Sequence, residues 1–255
     1  MKVTVLGSSG SLGAHGNPAS GYLVEATAGS AVVMDLGPGV LGNLQTLQNP
    51  SEAHVVFSHL HPDHCLDFPS LMVWRRYHPE RAAHSHHICA GPRLLPEKLG
   101  ILSANEPGQI DDMGDTFTFT AWQAHHAEII GGLHVTPYPA IHPSESYSLR
   151  VEDQATGAVI AYSGDTAYHE HLIAAADQAD LFICEATWGE SSDGKVTEMH
   201  MSGAEAGRAA TQAGAKKLLL THIPPWVDWE ATRRAAAAHY HGPIELARPF
   251  LELEI

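Results

Sequence analysis

The sequence predicts an α/β fold. Stretches rich in Val, Leu and Ile alternate with helix-like stretches from end to end, the pattern of sheets covered by helices. Five of the strand-like stretches end in a side chain that can bind a metal or move a proton: His59 and its neighbours, then His142, Asp165, Glu185 and His222. Strand ends meet along one edge of a sheet, where loops build sites on a rigid frame. A chain of 255 residues can form one large core, and no linker-like tract or repeat divides it, so a single domain over residues 1–255 is expected.

Composition narrows the function. Asp and Glu total 29 against 14 Lys and Arg, a formal charge of −15, and the basic residues form no long run. A nucleic-acid surface needs a basic patch, so large nucleic acids are disfavoured as partners. No apolar run approaches the roughly 20 residues that span a membrane, and the chain starts directly in a strand without a signal-like core. A cytoplasmic protein without a membrane partner is expected. Cys65, Cys89 and Cys184 are scattered and lack CxxC spacing, which fits free thiols in a reducing compartment; Cys65 reads as a small buried residue. Among the 19 histidines, His84, His86, His87, His125 and His126 read as solvated loop residues.

Taken in order, residues 2–6 form a strand that ends in Gly7-Ser8-Ser9-Gly10-Ser11. That turn lacks the Lys of a P-loop and the GxGxxG spacing, and it reads as a tight turn. Residues 20–25 and 30–34 are strands; the second ends at Asp35-Leu36-Gly37-Pro38-Gly39 and feeds a helix over 41–47. Asp35 reads equally as a turn cap and as a carboxylate orienting a histidine ligand. Residues 54–57 form a buried strand leading into the loop 58–67, and a helix over 68–77 follows. Its Arg75 and Arg76 read either as exposed helix-end residues or as donors to a substrate phosphate. Residues 92–109 read as helix and loop, and 116–122 and 133–140 as strands. Residues 147–152 and 158–162 form a hairpin running into Ser163-Gly164-Asp165-Thr166. A helix over 171–176 precedes a buried strand, 181–184, that ends in Glu185-Ala186-Thr187-Trp188. After a loop over 194–200, Ser202 and Glu205 form a capping box for a helix to residue 213. A strand over 217–220 ends at Thr221-His222, and a helix over 228–239 and a strand over 244–255 complete the chain.

The motif His59-x-His61-x-Asp63-His64 lets one loop face two metal ions, with imidazoles at i and i+2 and a carboxylate–imidazole pair directly after. These ligands suit two divalent ions, zinc first, with manganese or iron as alternatives. Asp165 is a natural bridging carboxylate.

Together with His142, Gly164-Asp165-Thr166 and Thr221-His222, this motif resembles the metallo-β-lactamase superfamily over nearly the whole chain. The resemblance implies a four-layer αβ/βα sandwich with a dinuclear site at one edge. It places His59, His61 and His142 on one metal, Asp63, His64 and His222 on the other, and Asp165 between them. Glu185-Ala186-Thr187-Trp188 and His200-x-Ser202-x-x-x-Ala206 resemble the ribonuclease Z-like phosphodiesterase branch, which implies a catalytic His200. True β-lactamases lack both this histidine and the second Asp-His pair. Diiron flavoproteins usually carry Glu where His61 stands, and glyoxalase II-type enzymes add a helical domain. Ribonuclease Z proper inserts a long tRNA-gripping arm between the residues matching His142 and Asp165, where this chain has only residues 143–164. A small phosphodiester therefore fits better. The stretches 74–79, 162–166 and 219–226 resemble an actinobacterial group that includes atypical cyclic-AMP phosphodiesterases.

The resemblance thus implies a metal-dependent hydrolase, a homodimer, that cleaves a 3′,5′-cyclic nucleotide, cyclic AMP by preference. RNA 3′-end processing and ester, lactone or thioester hydrolysis are the alternatives on the same core. Asp63 is expected to aim the attacking water, His200 to protonate the leaving 3′-oxygen, and Glu185 to hold His200.

Overall fold

In the computed structural model, which describes residues 1–255, the apolar stretches pair into two seven-stranded sheets. The first sheet holds β1 (Lys2–Gly7), β2 (Gly21–Glu25), β3 (Val32–Met34), β4 (His54–Val56), β5 (His87–Gly91) and β6 (Phe117–Ala121), side by side in that order. The second holds β7 (Glu128–Ile130), β8 (Leu133–Pro139), β9 (Tyr147–Asp153), β10 (Val159–Tyr162), β11 (Leu181–Glu185), β12 (Leu218–Thr221) and β13 (Ile244–Leu246). A last strand, β14 (Glu252–Glu254), returns to the first sheet beside β1.

Alternation along each strand sorts side chains into layers. Val3, Val5, Tyr22 and Val24 of the first sheet meet Ile160, Tyr162, Leu181 and Ile183 of the second in one core between the sheets. Leu6, Leu23, Val33 and Val55 point the other way, into a core covered by α1 (Val40–Leu47), α3 (Phe68–Tyr77) and α4 (Leu95–Ser103). Ala161, Phe182, Cys184 and Leu218 do the same beneath α5 (Glu170–Ala175), α6 (Gly203–Ala213) and α7 (Trp229–Ala237). The result is the expected four-layer αβ/βα sandwich. β3 through β6, and β10 through β13, are parallel runs, so their C-terminal ends gather on one edge. The capping box of Ser202 and Glu205 opens α6 as expected. No helix is long and apolar enough to cross a membrane.

Several expectations need correction. The stretch 244–255 is two strands in different sheets, because Pro249 cannot donate to a ladder and Phe250 turns the chain at φ 64°. The loop 58–67 contains a single helical turn, α2 (Pro62–Cys65). β7 and β5 were not expected, and His87 is buried at the start of β5 rather than solvated. Arg75 is neither exposed nor free for a substrate. Its phase on α3 matches Phe68, Leu71 and Met72, so it points inward. There it donates to the carbonyls of Ser51 at 2.8 Å and Thr116 at 2.6 Å and lies 3.9 Å over the Phe117 ring. Arg76 is held by Asp111 at 2.6 Å and Asp115 at 2.7 Å. The three cysteines are free and all are buried, Cys65 as expected, and the Cys65 thiol donates to the His61 carbonyl at 3.2 Å.

His54 gives the fold an acid-sensitive seam. Its Nδ1 accepts the Ile88 N–H at 2.9 Å and its ring lies 5.0 Å from that of His87. Burial, then the neighbouring His87 and Arg75, push its pKa down to about 4. Protonating Nδ1 breaks the bond between β4 and β5. Because the folded value lies below the unfolded one, of about 6.5, this contribution is complete above pH 6.5 and is lost as pH falls towards 4. In His54→Asn, whose Oδ1 stands where Nδ1 does and accepts without titrating, the melting temperature should fall less between pH 7 and pH 4.5 than in wild type. Parallel losses, followed by circular dichroism, would remove His54 as the cause.

Candidate metal centre

The ligand-bearing segment folds as local chemistry dictates. β4 delivers the buried Phe57 and Ser58 to the sheet edge. His61 then caps α2, with Pro62 at its first position, where a missing N–H costs nothing. One turn brings Asp63 and His64 round beneath His59. Gly37 has no room for a side chain, since a Cβ would lie 2.0 Å from the Asp63 carbonyl oxygen.

The expected residues converge in two groups that share a carboxylate. His59, His61, His142 and Asp165 form one; Asp63, His64, Asp165 and His222 form the other. Their nitrogens and oxygens face one another closely: His142 Nε2 to His61 Nδ1 at 3.0 Å, His64 Nε2 to His222 Nε2 at 3.2 Å, and His222 Nε2 to Asp63 Oδ2 at 3.0 Å. A third group joins Glu185 and His200 to His222.

The surrounding hydrogen bonds fix which ring nitrogen faces inward. Asp35 Oδ2 receives His64 Nδ1 at 2.7 Å and the Ser58 hydroxyl at 2.7 Å. Having given its proton to Asp35, Ser58 Oγ accepts from His59 Nδ1 at 3.1 Å. His142 Nδ1 donates to the Met199 carbonyl at 2.9 Å. The Thr187 hydroxyl donates to Glu185 Oε2 at 2.7 Å and so accepts from His222 Nδ1 at 2.8 Å. In these four imidazoles Nδ1 carries the proton and Nε2 presents a lone pair to the centre, the arrangement by which outer partners orient metal-binding histidines, whereas His61 turns its Nδ1 inward, towards His142 Nε2. Two lone pairs cannot hydrogen-bond to each other, and His59 Nε2 and Asp165 Oδ1 are buried without any partner. The donor set therefore fits divalent cations.

The electrostatics agree. Burial, reinforced by neighbouring imidazoles, holds His59 well below the ordinary histidine range and His61 and His142 below it, in the neutral form a ligand needs. At the other end burial is overcome: Asp165, Asp35 and Asp63 raise His64 well above its ordinary value, so the site favours positive charge there. His200 also overcomes burial, through the Glu185 carboxylate 2.9 Å from its Nδ1, and is pushed up to about 9.

The expected metal-binding and acid–base residues thus all sit in this cluster, and Arg75 and Arg76 do not. Of the two readings of Asp35, the structure shows the carboxylate holding a histidine. Tyr162 was missed as a contributor: its hydroxyl donates to Asp35 at 2.8 Å. So were Ser58 and Thr187, although each stands beside or two residues from a named residue. The Met199 carbonyl leaves no trace in sequence, because any residue would supply it. Asp35→Asn should keep its secondary structure by circular dichroism, with a lowered melting temperature, and weaken zinc binding by about 10- to 100-fold in a chelator competition; equal affinity would deny Asp35 this part.

Comparison with known proteins gives the same picture. The model of the beta-lactamase superfamily domain matches residues 30–223. An uncharacterized protein of Mycobacterium leprae is 46% identical over 244 residues, 96% of this chain and 85% of that one. The probable metallo-hydrolase YhfI of Bacillus subtilis is 31% identical, with 97% of both chains covered. The crystal structure of YhfI, described as a metallo-beta-lactamase fold protein, superposes with a TM-score of 0.86 over 100% of this chain and 99% of that one, at 26% identity. A ribonuclease Z of Halobacterium salinarum is 25% identical over 100% of this chain and 97% of its own. With two sheets, a shared-carboxylate histidine cluster and relatives along its whole length, the chain belongs to the beta-lactamase superfamily and is a metal-dependent hydrolase.

Proposed function

We propose that this protein is a phosphodiesterase that cleaves a small phosphodiester, a 3′,5′-cyclic nucleotide with cyclic AMP foremost. The observation that carries the reading is His200, a histidine beside the metal groups with its own carboxylate. Glu185 Oε1 takes its Nδ1 proton at 2.9 Å, which leaves Nε2 to act as a donor. An alkoxide leaving group needs such an acid; an ester with a good leaving group does not. In this reading His59, His61 and His142 hold one cation, Asp63, His64 and His222 the other, and Asp165 both, with zinc the ion that suits imidazole and carboxylate. When bound, the cations supply Lewis acidity, polarising a phosphoryl oxygen and making water a nucleophile near neutral pH.

The chain's own residues do the rest. Asp63 is held ionised: burial would raise its pKa, but His64 and His222 bring it below the usual carboxylate range. Its carboxylate accepts a hydrogen bond from the attacking water and sets the direction of attack. His200, kept protonated at neutral pH by Glu185, gives its Nε2 proton to the departing 3′-oxygen. The relative named ribonuclease Z raises RNA 3′-end processing as a second reading. The excess of acidic residues, 29 against 14 basic, favours the small substrate.

The test compares cyclic AMP, bis(p-nitrophenyl) phosphate, a lactone panel and a precursor tRNA on zinc-loaded protein, wild type and His200→Ala. The variant should retain its zinc and lose about 10²- to 10⁴-fold in kcat on cyclic AMP. The loss should be much smaller on the aryl diester, whose leaving group departs without a proton. Equal losses on both diesters, or loss of zinc, would refute the acid role; turnover confined to lactones or tRNA would refute the substrate class.

A further inference from the structure

The turn after β1, Gly7-Ser8-Ser9-Gly10-Ser11, lies against His222. The Ser8 carbonyl accepts the His222 N–H at 3.0 Å, and Ser9 bridges to Ile223. Gly10 fits only because it has no side chain: a Cβ there would lie 2.2 Å from the His222 carbonyl oxygen. This close packing turns Ser11, an exposed residue, to a left-handed φ of 67°. Serine adopts that conformation at a cost, so it is imposed by the surroundings. The conformation aims the Ser11 N–H at His222 Nε2, 3.4 Å away.

That acceptor has a prior claim on it. His222 Nδ1 carries the ring proton, given to Thr187, so Nε2 has one lone pair, and it faces Asp63 and His64. A cation held by this group uses that lone pair. The Ser11 N–H then has no acceptor, although it is fixed beside the centre. The N–H is then free for another acceptor, and a preorganised N–H beside developing negative charge is the arrangement that stabilises oxyanions. We infer that the backbone N–H of Ser11 donates a hydrogen bond to a non-bridging phosphoryl oxygen of the substrate. The bond strengthens as charge gathers on that oxygen during attack. This rests on the phosphodiesterase reading, and it gives the glycine-serine turn an anion-binding part without a P-loop.

Ser11 lies close enough to the N-terminus for semisynthesis, so its amide can be replaced by an ester, which removes the N–H alone. Zinc-loaded protein with the ester at Ser11 should keep its zinc content and bind inorganic phosphate at least about tenfold more weakly. It should lose about 10²-fold in kcat/KM on bis(p-nitrophenyl) phosphate. The same replacement at Leu12 should change neither. Wild-type protein labelled with ¹⁵N-serine gives a second measurement that needs no variant: the Ser11 amide proton should move downfield when inorganic phosphate is added to the zinc form. Unchanged phosphate affinity in the Ser11 ester, or an amide proton that ignores phosphate, overturns the inference. Wild-type protein that turns over no phosphodiester overturns the phosphodiesterase reading instead, while phosphate binding and the amide shift still report on Ser11.

Discussion

Asp35 is the group on which both the fold and the centre depend. It is fully buried, at a left-handed φ of 59°, just past the end of β3. Its two oxygens receive four donors: the Ser58 N–H at 2.8 Å, the Ser58 hydroxyl, His64 Nδ1 and the Tyr162 hydroxyl. The first three come from the segment after β4, the last from the opposing sheet. One carboxylate thus joins the sheets and sets the ring orientation of His64, and through Ser58 that of His59. The buried carboxylate is tolerated in the core because both of its oxygens accept hydrogen bonds, one at Oδ1 and three at Oδ2. A neutral turn residue could shape the chain there, but it could not pull the Nδ1 proton outward and leave Nε2 facing in. The neighbouring Tyr22, ring centroid 5.0 Å from that of Tyr162, makes a parallel tie across the same interface, its hydroxyl 2.6 Å from that of Thr221.

Glu185 does for the other side of the centre what Asp35 does for this one. One oxygen receives His200 and the Thr166 N–H at 2.7 Å; the other receives the Thr187 hydroxyl. Thr166 follows Asp165 directly, so the shared carboxylate is positioned from the same anchor. His222 is oriented through Thr187 and is itself left-handed, at φ 55°. Two residues in unfavourable backbone conformations, Asp35 and His222, therefore flank the site, each locked by buried hydrogen bonds. The stability this costs is recovered in a centre whose donors need no rearrangement.

How much of this was legible in the sequence follows from physical range. Most strands, though not β5 and β7, and their reactive ends were, because alternation and the position of His142, Asp165, Glu185 and His222 are local properties. So was the helix over 68–77, but not the destination of its arginines. Arg75 resembles a helix-end cation, and only the tertiary phase of α3 turns it towards the Ser51 and Thr116 carbonyls. His87 sits in a polar run, and its burial comes from pairing with distant β4 and β6. The stretch 244–255 has strand character throughout, but its division between two sheets is decided by which edges, β12 and β1, remain open. Asp35 stayed undecided for the same reason: a carboxylate at a turn looks alike whether its donors are local or come from residue 162.

The charge balance of the chain ties these observations together. An acidic protein that takes an anionic substrate must neutralise phosphate somewhere, and arginine is the usual means. Here Arg75 is committed to backbone carbonyls and Arg76 to Asp111 and Asp115. In the proposed reading, the phosphate is met instead by the cations that the cluster would hold, by His200 with its Glu185 partner, and by the Ser11 N–H. All three act at short range around a single phosphate, and none extends along a polyanion. The density of donors at the centre thus comes from the cluster's own side chains and backbone, while Arg75 and Arg76 are committed to the frame of the fold.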